Sequence, residues 1–145
     1  MKTTFHKPED IDKKWYLIDA ENQILGKVAA KTVNLVKGKS RVEYRPDADC
    51  GDFVAIINAS KIKVTGSKLN QKEYFKHSPW VGNYTLTSLK DMLKDKPDEV
   101  IMHAIKGMLP KNHLGRKLLK KVRIYKGSQH EQAAQNPEKI ELWNS

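Results

Sequence analysis

The 145-residue sequence contains one cysteine, Cys50, which leaves no disulfide framework and no cysteine-ligated zinc site open to it. A lone thiol is what a reducing compartment permits. No apolar run approaches the length of a membrane-spanning helix. The N-terminal stretch MKTTFHKPEDIDKKW has no apolar core of signal-peptide length, and Glu9, Asp10 and Asp12 stand where cleavable transit peptides avoid acids. The chain is therefore expected to be soluble and to stay in the compartment where it is made. Internal repeats and low-complexity segments are also missing.

The most telling absence is of acid. Residues 100–130 hold eight lysines and arginines and no aspartate or glutamate. Residues 1–99 hold 18 bases against 14 acids, and residues 131–145 hold one against three. One segment thus supplies most of a formal net charge of +10. A single-sign field repels itself and opposes compaction, so such a segment is either a lopsided solvated face or a surface that a polyanion neutralises. The asymmetry points to nucleic acid or an anionic membrane surface.

Hydrophobic periodicity outlines an α/β chain. WYLID (15–19) and FVAIIN (53–58) are short apolar runs of buried-strand type. Between them Leu25, Val28, Ala29, Thr32, Val33 and Val36 recur at helical spacing, and Gly38 is placed to end that helix. Strand, helix and buried strand make a βαβ unit. KIKVTGSK and KEYFKHS alternate as short strands or a hairpin, turned near Gly66 and Asn70. Ser88 and Asp91 form a capping pair for a short helix. A second helix opens at Pro97, with Asp98 and Glu99 in its first turn and Val100, Ile101, Ala104, Ile105 and Met108 as its buried stripe. His103 is expected on or near that stripe. Pro110 interrupts the helix or lies beyond it. LGRKLLKK adds a helical turn or two, VRIYKG is a last strand, and the final fifteen residues read as an extended, partner-dependent tail.

Within KGMLPKNHLGRKLLKKVRIYKG (106–127), aliphatic anchors alternate with bases. Leu109, Leu114, Leu118 and Leu119 can pin the segment to the body while Lys111, Arg116, Lys117, Lys120, Lys121, Arg123 and Lys126 point outward. Fixed cations and accessible backbone donors on a rigid element are what phosphate binding requires. With about five to seven phosphate contacts, log affinity falls against log salt at about −0.9 or −0.7 per contact. Lys37, Lys39, Arg41 and Arg45 form a second basic cluster just past the first helix, open equally to a solvated-face reading.

Catalytic readings find little. Asp47, Asp49 and Asp52 surround Cys50 in RPDADCGD, and clustered carboxylates can hold Mg²⁺. The acid-x-lysine half that would complete a metal-dependent nuclease motif is missing after Asp47, so turn-forming and capping aspartates are the better account. The turn after the first strand carries only Gly26, not the G-x-G-x-x-G of a dinucleotide site, and there is no Walker motif. His6, His77, His103, His113 and His130 lack metal spacing, and Cys50 has no base beside it in sequence.

KGMLPKNHLGR (106–116) closely resembles the signature segment of the bacterial-type large-subunit ribosomal protein L13 (uL13) family. The resemblance extends to WYLIDA with Leu25-Gly26-Lys27, GK at 38–39, GDFVAIINASKIKVTGSK at 51–68, YFKHS at 74–78, LKKVRIYKG at 119–127 and HEQAAQNPE at 130–138. It implies a three-layer α/β/α domain around a mainly parallel four-stranded sheet, with a small hairpin excursion and extended termini. The whole chain would form a single domain, with 1–14 as an N-terminal extension and 128–145 as a C-terminal tail. The implied role is structural: binding large-subunit rRNA early in assembly, beside neighbouring ribosomal proteins in cytoplasmic ribosomes. No catalysis, cofactor, metal, membrane or homo-oligomer is expected. The contacts it carries over are Lys106, Lys111, Arg116, Lys117, Lys120, Lys121 and Arg123. Lys37, Lys39, Arg41, Arg45, Lys68, His77, His113 and Lys126 complete the expected RNA-facing set. Two departures stand out: PWVGNYTLTSL follows His77-Ser78 where relatives are glycine-rich, putting Trp80 in position to stack on a base, and Cys50 replaces a common threonine.

Overall fold

In the computed structural model, which describes residues 7–142, β1 (Trp15–Asp19) and β2 (Phe53–Ile57) lie parallel, with Trp15 opposite Phe53 and Ile18 opposite Ile56. The connection between them is α1 (Leu25–Lys37), as a parallel pair requires. Its Leu25, Val28, Ala29, Thr32, Val33 and Val36 are buried against the sheet and its neighbours. Gly38 ends the helix at φ 74°, and a Cβ there would meet the Cys50 carbonyl oxygen at 2.6 Å. The glycine therefore both turns the chain and lets the loop before β2 lie against it.

Two further strands complete the sheet. β5 (Val122–Ile124) pairs with β2 and β6 (Glu138–Ile140) with β1, giving the all-parallel order β5-β2-β1-β6. The four-stranded α/β fold is thus present, with helices flanking the sheet. β6 lies inside the stretch read as an extended tail, and Leu142 just beyond it is buried in the core. The tail's last three residues and the first six of the N-terminal extension, His6 included, lie outside the described residues.

The hairpin is displaced from its expected partner. β3 (Glu73–His77) pairs antiparallel with β4 (Tyr84–Ser88), not with KIKVTGSK. That earlier stretch is a 3₁₀ turn at Ala59–Lys61, a single bridge from Lys63 to Ile24, and α2 (Lys68–Gln71). Lys63 N–H donates to the Gln23 carbonyl and Leu25 N–H to that of Lys63, so its backbone is engaged by the loop ahead of α1.

α3 (Leu89–Asp95) starts at Ser88, whose Oγ accepts from Asp91 N–H and donates to the Asp91 carboxylate. α4 (Pro97–Met108) buries Pro97, Val100, Ile101 and Ile105. Met108 was expected in that stripe but is 43% exposed, and Leu109 takes the interior place. His103 also leaves the stripe: it is exposed and meets the Tyr74 ring edge-on at 5.1 Å. α5 (His113–Leu119) follows, and α1, α4 and α5 pack on one another. Among the described residues no helix is long and apolar enough to cross a membrane.

Candidate nucleic-acid interface

The basic segment is built on the turn between α4 and α5. Leu109 is buried and anchors the exit from α4, while Pro110 prevents its continuation. Asn112 caps α5, its Oδ1 accepting from Gly115 N–H at 2.9 Å. Gly115 lies so close to the turn that a Cβ would sit 1.7 Å from the Pro110 carbonyl oxygen. Seven residues are too few for a helix to hold itself in water; cap, close approach and the buried Leu118 hold this one. The outcome is a shallow depression of about 190 Å³ with Leu109, Pro110 and Leu119 in its wall, where Lys106 of α4, Lys111 of the turn and Arg116 of α5 converge. His113, Lys117 and Lys120 are exposed on the same helix and its end, and Arg123 is exposed on β5.

Not every base faces outward. Lys121, expected among the RNA-facing residues, is buried: its Nζ bonds the Asp49 carboxylate and the Gly51 carbonyl at 2.9 Å, and lies 5.4 Å from the centre of the Phe53 ring. Burial pushes this ammonium below the ordinary lysine value, and the Asp49 hydrogen bond works against that shift. Arg41 also turns inward. Its guanidinium binds Asp52 through two nitrogens, one contact at 3.1 Å, and donates to the Asp12 carbonyl at 2.7 Å. The Asp52 hydrogen bond raises its pKa further. Both cations are struts of the loop before β2.

The rest of the expected set is spread out. Lys37 is half-buried at the end of α1, while Lys39 is exposed and shares a depression of about 320 Å³ with Lys31 and Asn34. Arg45 pairs with Asp47 at 2.5 Å. Lys126 is exposed, donates to the Asp95 carbonyl at 3.0 Å and lies 3.7 Å from Asp98. Lys68 on α2 and His77 at the end of β3 are exposed but line neither of these depressions.

The aspartates of RPDADCGD each hold a cation of this chain: Asp47 holds Arg45, Asp49 holds Lys13 and Lys121, and Asp52 holds Arg41 while accepting from Lys14 N–H. Asp49 and Asp52 tie the loop before β2 to the residues just ahead of β1 and β5, while the Asp47–Arg45 pair lies within the loop itself. Cys50 is fully buried beside them. One surface was only half legible in the sequence, where Trp80 alone drew notice. Phe75, Tyr84 and Leu86 are also exposed, and the alternation of β3 and β4 was the signal that could have found them.

Residues 13–131 match the family model described as ribosomal protein L13. Among curated proteins, the large ribosomal subunit protein uL13 of Desulfovibrio desulfuricans is 48% identical over 142 residues, covering 98% of this chain and 99% of the relative. The proteins of that name from Aquifex aeolicus and Lachnospira eligens are also 48% identical over 142 residues, 98% of this chain, with 99% and 100% of the relative covered.

Proposed function

The chain belongs to the ribosomal protein L13 family, a family of structural components rather than enzymes, and from that premise we propose that it docks on large-subunit rRNA through the α4–α5 surface as a constituent of the cytoplasmic large ribosomal subunit. The observation that carries the reading is the convergence of Lys106, Lys111 and Arg116 on one rigid, acid-free turn. Phosphate oxygens need cations fixed in register, and a capped, glycine-packed turn supplies that register. Lys117, Lys120, His113 and Arg123 extend the contact. Lys37, Lys39, Arg45, Lys68, His77 and Lys126 are outer positions with weaker support. Lys121 and Arg41 are instead engaged with the loop before β2 and stand outside the proposed contact. As a single domain stabilised by its own core, the chain can bind before its ribosomal-protein neighbours are in place, which suits an early assembly role.

Equilibrium binding to large-subunit rRNA across a salt series tests this. Replacing Arg116→Ala and Lys120→Ala together is expected to flatten the slope by about two units of contact, at about 0.7–0.9 each. An unchanged slope would leave the segment a solvated face.

A further inference from the structure

We propose that the depression between α4 and α5 takes one extruded nucleotide of the rRNA, its unpaired base against the apolar wall and its phosphate on the converging cations. This rests on the rRNA-docking reading above and deepens it, from a surface that neutralises phosphates to a pocket that holds an unstacked base.

Two chemistries meet in that depression. Leu109, Pro110 and Leu119 form its wall, Lys106, Lys111 and Arg116 converge on it, and no acid lines it. Among the described residues none of these three cations is paired with a carboxylate, whereas Lys121 and Arg41 each hold one. The occupant must therefore bring negative charge, and to cover the wall it must also bring apolar surface. Phosphates of a paired helix need only cations on an open face, and its bases are stacked out of reach. The volume, about 190 Å³, is below the roughly 300–1,000 Å³ of sites for drug-sized ligands. It suits a single ring system rather than a length of chain.

A fixed polar group narrows the choice. Asn112 also lines the depression, and its Oδ1 is held by Gly115 N–H at 2.9 Å. That bond assigns the amide, so Nδ2 keeps two hydrogens with no acceptor among the described residues. Base edges carry carbonyl oxygens and ring nitrogens that accept such a donor. The planar guanidinium of Arg116 can lie on a ring or hold a phosphate. Wall, amide and cations thus answer the three parts of a nucleotide: ring, accepting edge and phosphate. A carboxylate side chain of a neighbouring protein would satisfy the cations and leave the wall bare.

The test begins with ultraviolet irradiation of the full chain on large-subunit rRNA, which joins side chains to the bases they touch and not to phosphates. Mass spectrometry is expected to find one unpaired nucleotide joined within residues 106–119. An rRNA fragment made abasic at that nucleotide keeps its phosphate and should bind about tenfold more weakly at every salt concentration, with the slope unchanged. Asn112→Ser retains a good helix cap and, once shown to melt like the parent, should bind the parent fragment about threefold more weakly. On the abasic fragment it should lose nothing further. No base joined to the segment, a crosslink to a paired nucleotide, parent-like binding of the abasic fragment, or an equal loss by Asn112→Ser on both fragments would each overturn the proposal. The two readings fail separately. A flattened slope in the Arg116→Ala, Lys120→Ala variant with parent-like abasic binding keeps the docking surface and removes the extruded base. An unchanged slope in that variant removes the docking surface itself.

Discussion

At the scale of single residues, sign of charge is legible in a sequence but direction is not. Arg116, Lys117 and Lys120 are exposed as the alternation with leucines implies. Lys121 follows the same pattern and is buried, because its partner Asp49 comes from a loop 72 residues earlier that no local rule connects to it. Arg41 and Asp52 form the same kind of pair across the end of α1. A cation held this way serves the fold, and the roles separate experimentally. Lys121→Met keeps the methylene stem and removes the ammonium from Asp49, which retains Lys13 at 3.3 Å and some solvent. Unfolding free energy should fall by about 1–2 kcal/mol, less than for a fully enclosed pair stripped of one partner. The salt slope of rRNA binding should match the parent's. A slope flattened by one contact in Lys121→Met would instead make this lysine a phosphate ligand.

At the scale of elements, what the sequence made legible was whatever is decided within about one helix length. β1, α1, β2, α3 and α4 begin and end close to where periodicity and capping residues put them. A small hairpin was expected and KEYFKHS does supply one of its strands, but KIKVTGSK is not a strand: its alternation is indistinguishable from one until its backbone is seen bonded to Gln23 and Leu25. α5 is the element on which function turns, and it is held by two local devices of unequal strength. Asn112→Ala removes one cap hydrogen bond and should cost about 1 kcal/mol. Gly115→Ala drives a methyl into the Pro110 carbonyl, so the turn must shift; about 1–3 kcal/mol is expected, as for other overpacked sites. The two variants should also rank in that order for loss of rRNA affinity, because displacing the turn moves Lys111 and Arg116 apart. Urea melts and binding isotherms on the same preparations read both quantities. Equal stability loss without loss of binding from Gly115→Ala would show that the register of those cations is unimportant.

At the scale of the whole molecule, the sheet is closed by the chain's last segment. Tyr16 lies opposite Glu138 and Ile18 opposite Ile140, partners at opposite ends of the sequence. Periodicity over a three-residue strand is too short to read, and a pairing this remote in sequence leaves no local trace, which is why the segment reads as a tail. Its contribution is nonetheless to the core: Leu142 is buried, Ile140 packs against the same cluster, and β6 covers the edge that β1 would otherwise present. Deleting residues 137–145 removes that burial and bares a strand edge. Burial of one leucine and part of an isoleucine is worth about 2–4 kcal/mol, and an uncovered edge is a template for pairing between chains. The truncated chain should therefore unfold at lower urea and scatter light on warming, while the salt slope of its rRNA binding stays that of the parent, since the deleted residues include none of the expected phosphate contacts. Unaltered stability would return the segment to the status of a tail that a partner orders. Lower stability with an unchanged slope would establish a division of labour within one small chain, in which the acidic C-terminal end completes the fold and the acid-free stretch before it faces the polyanion.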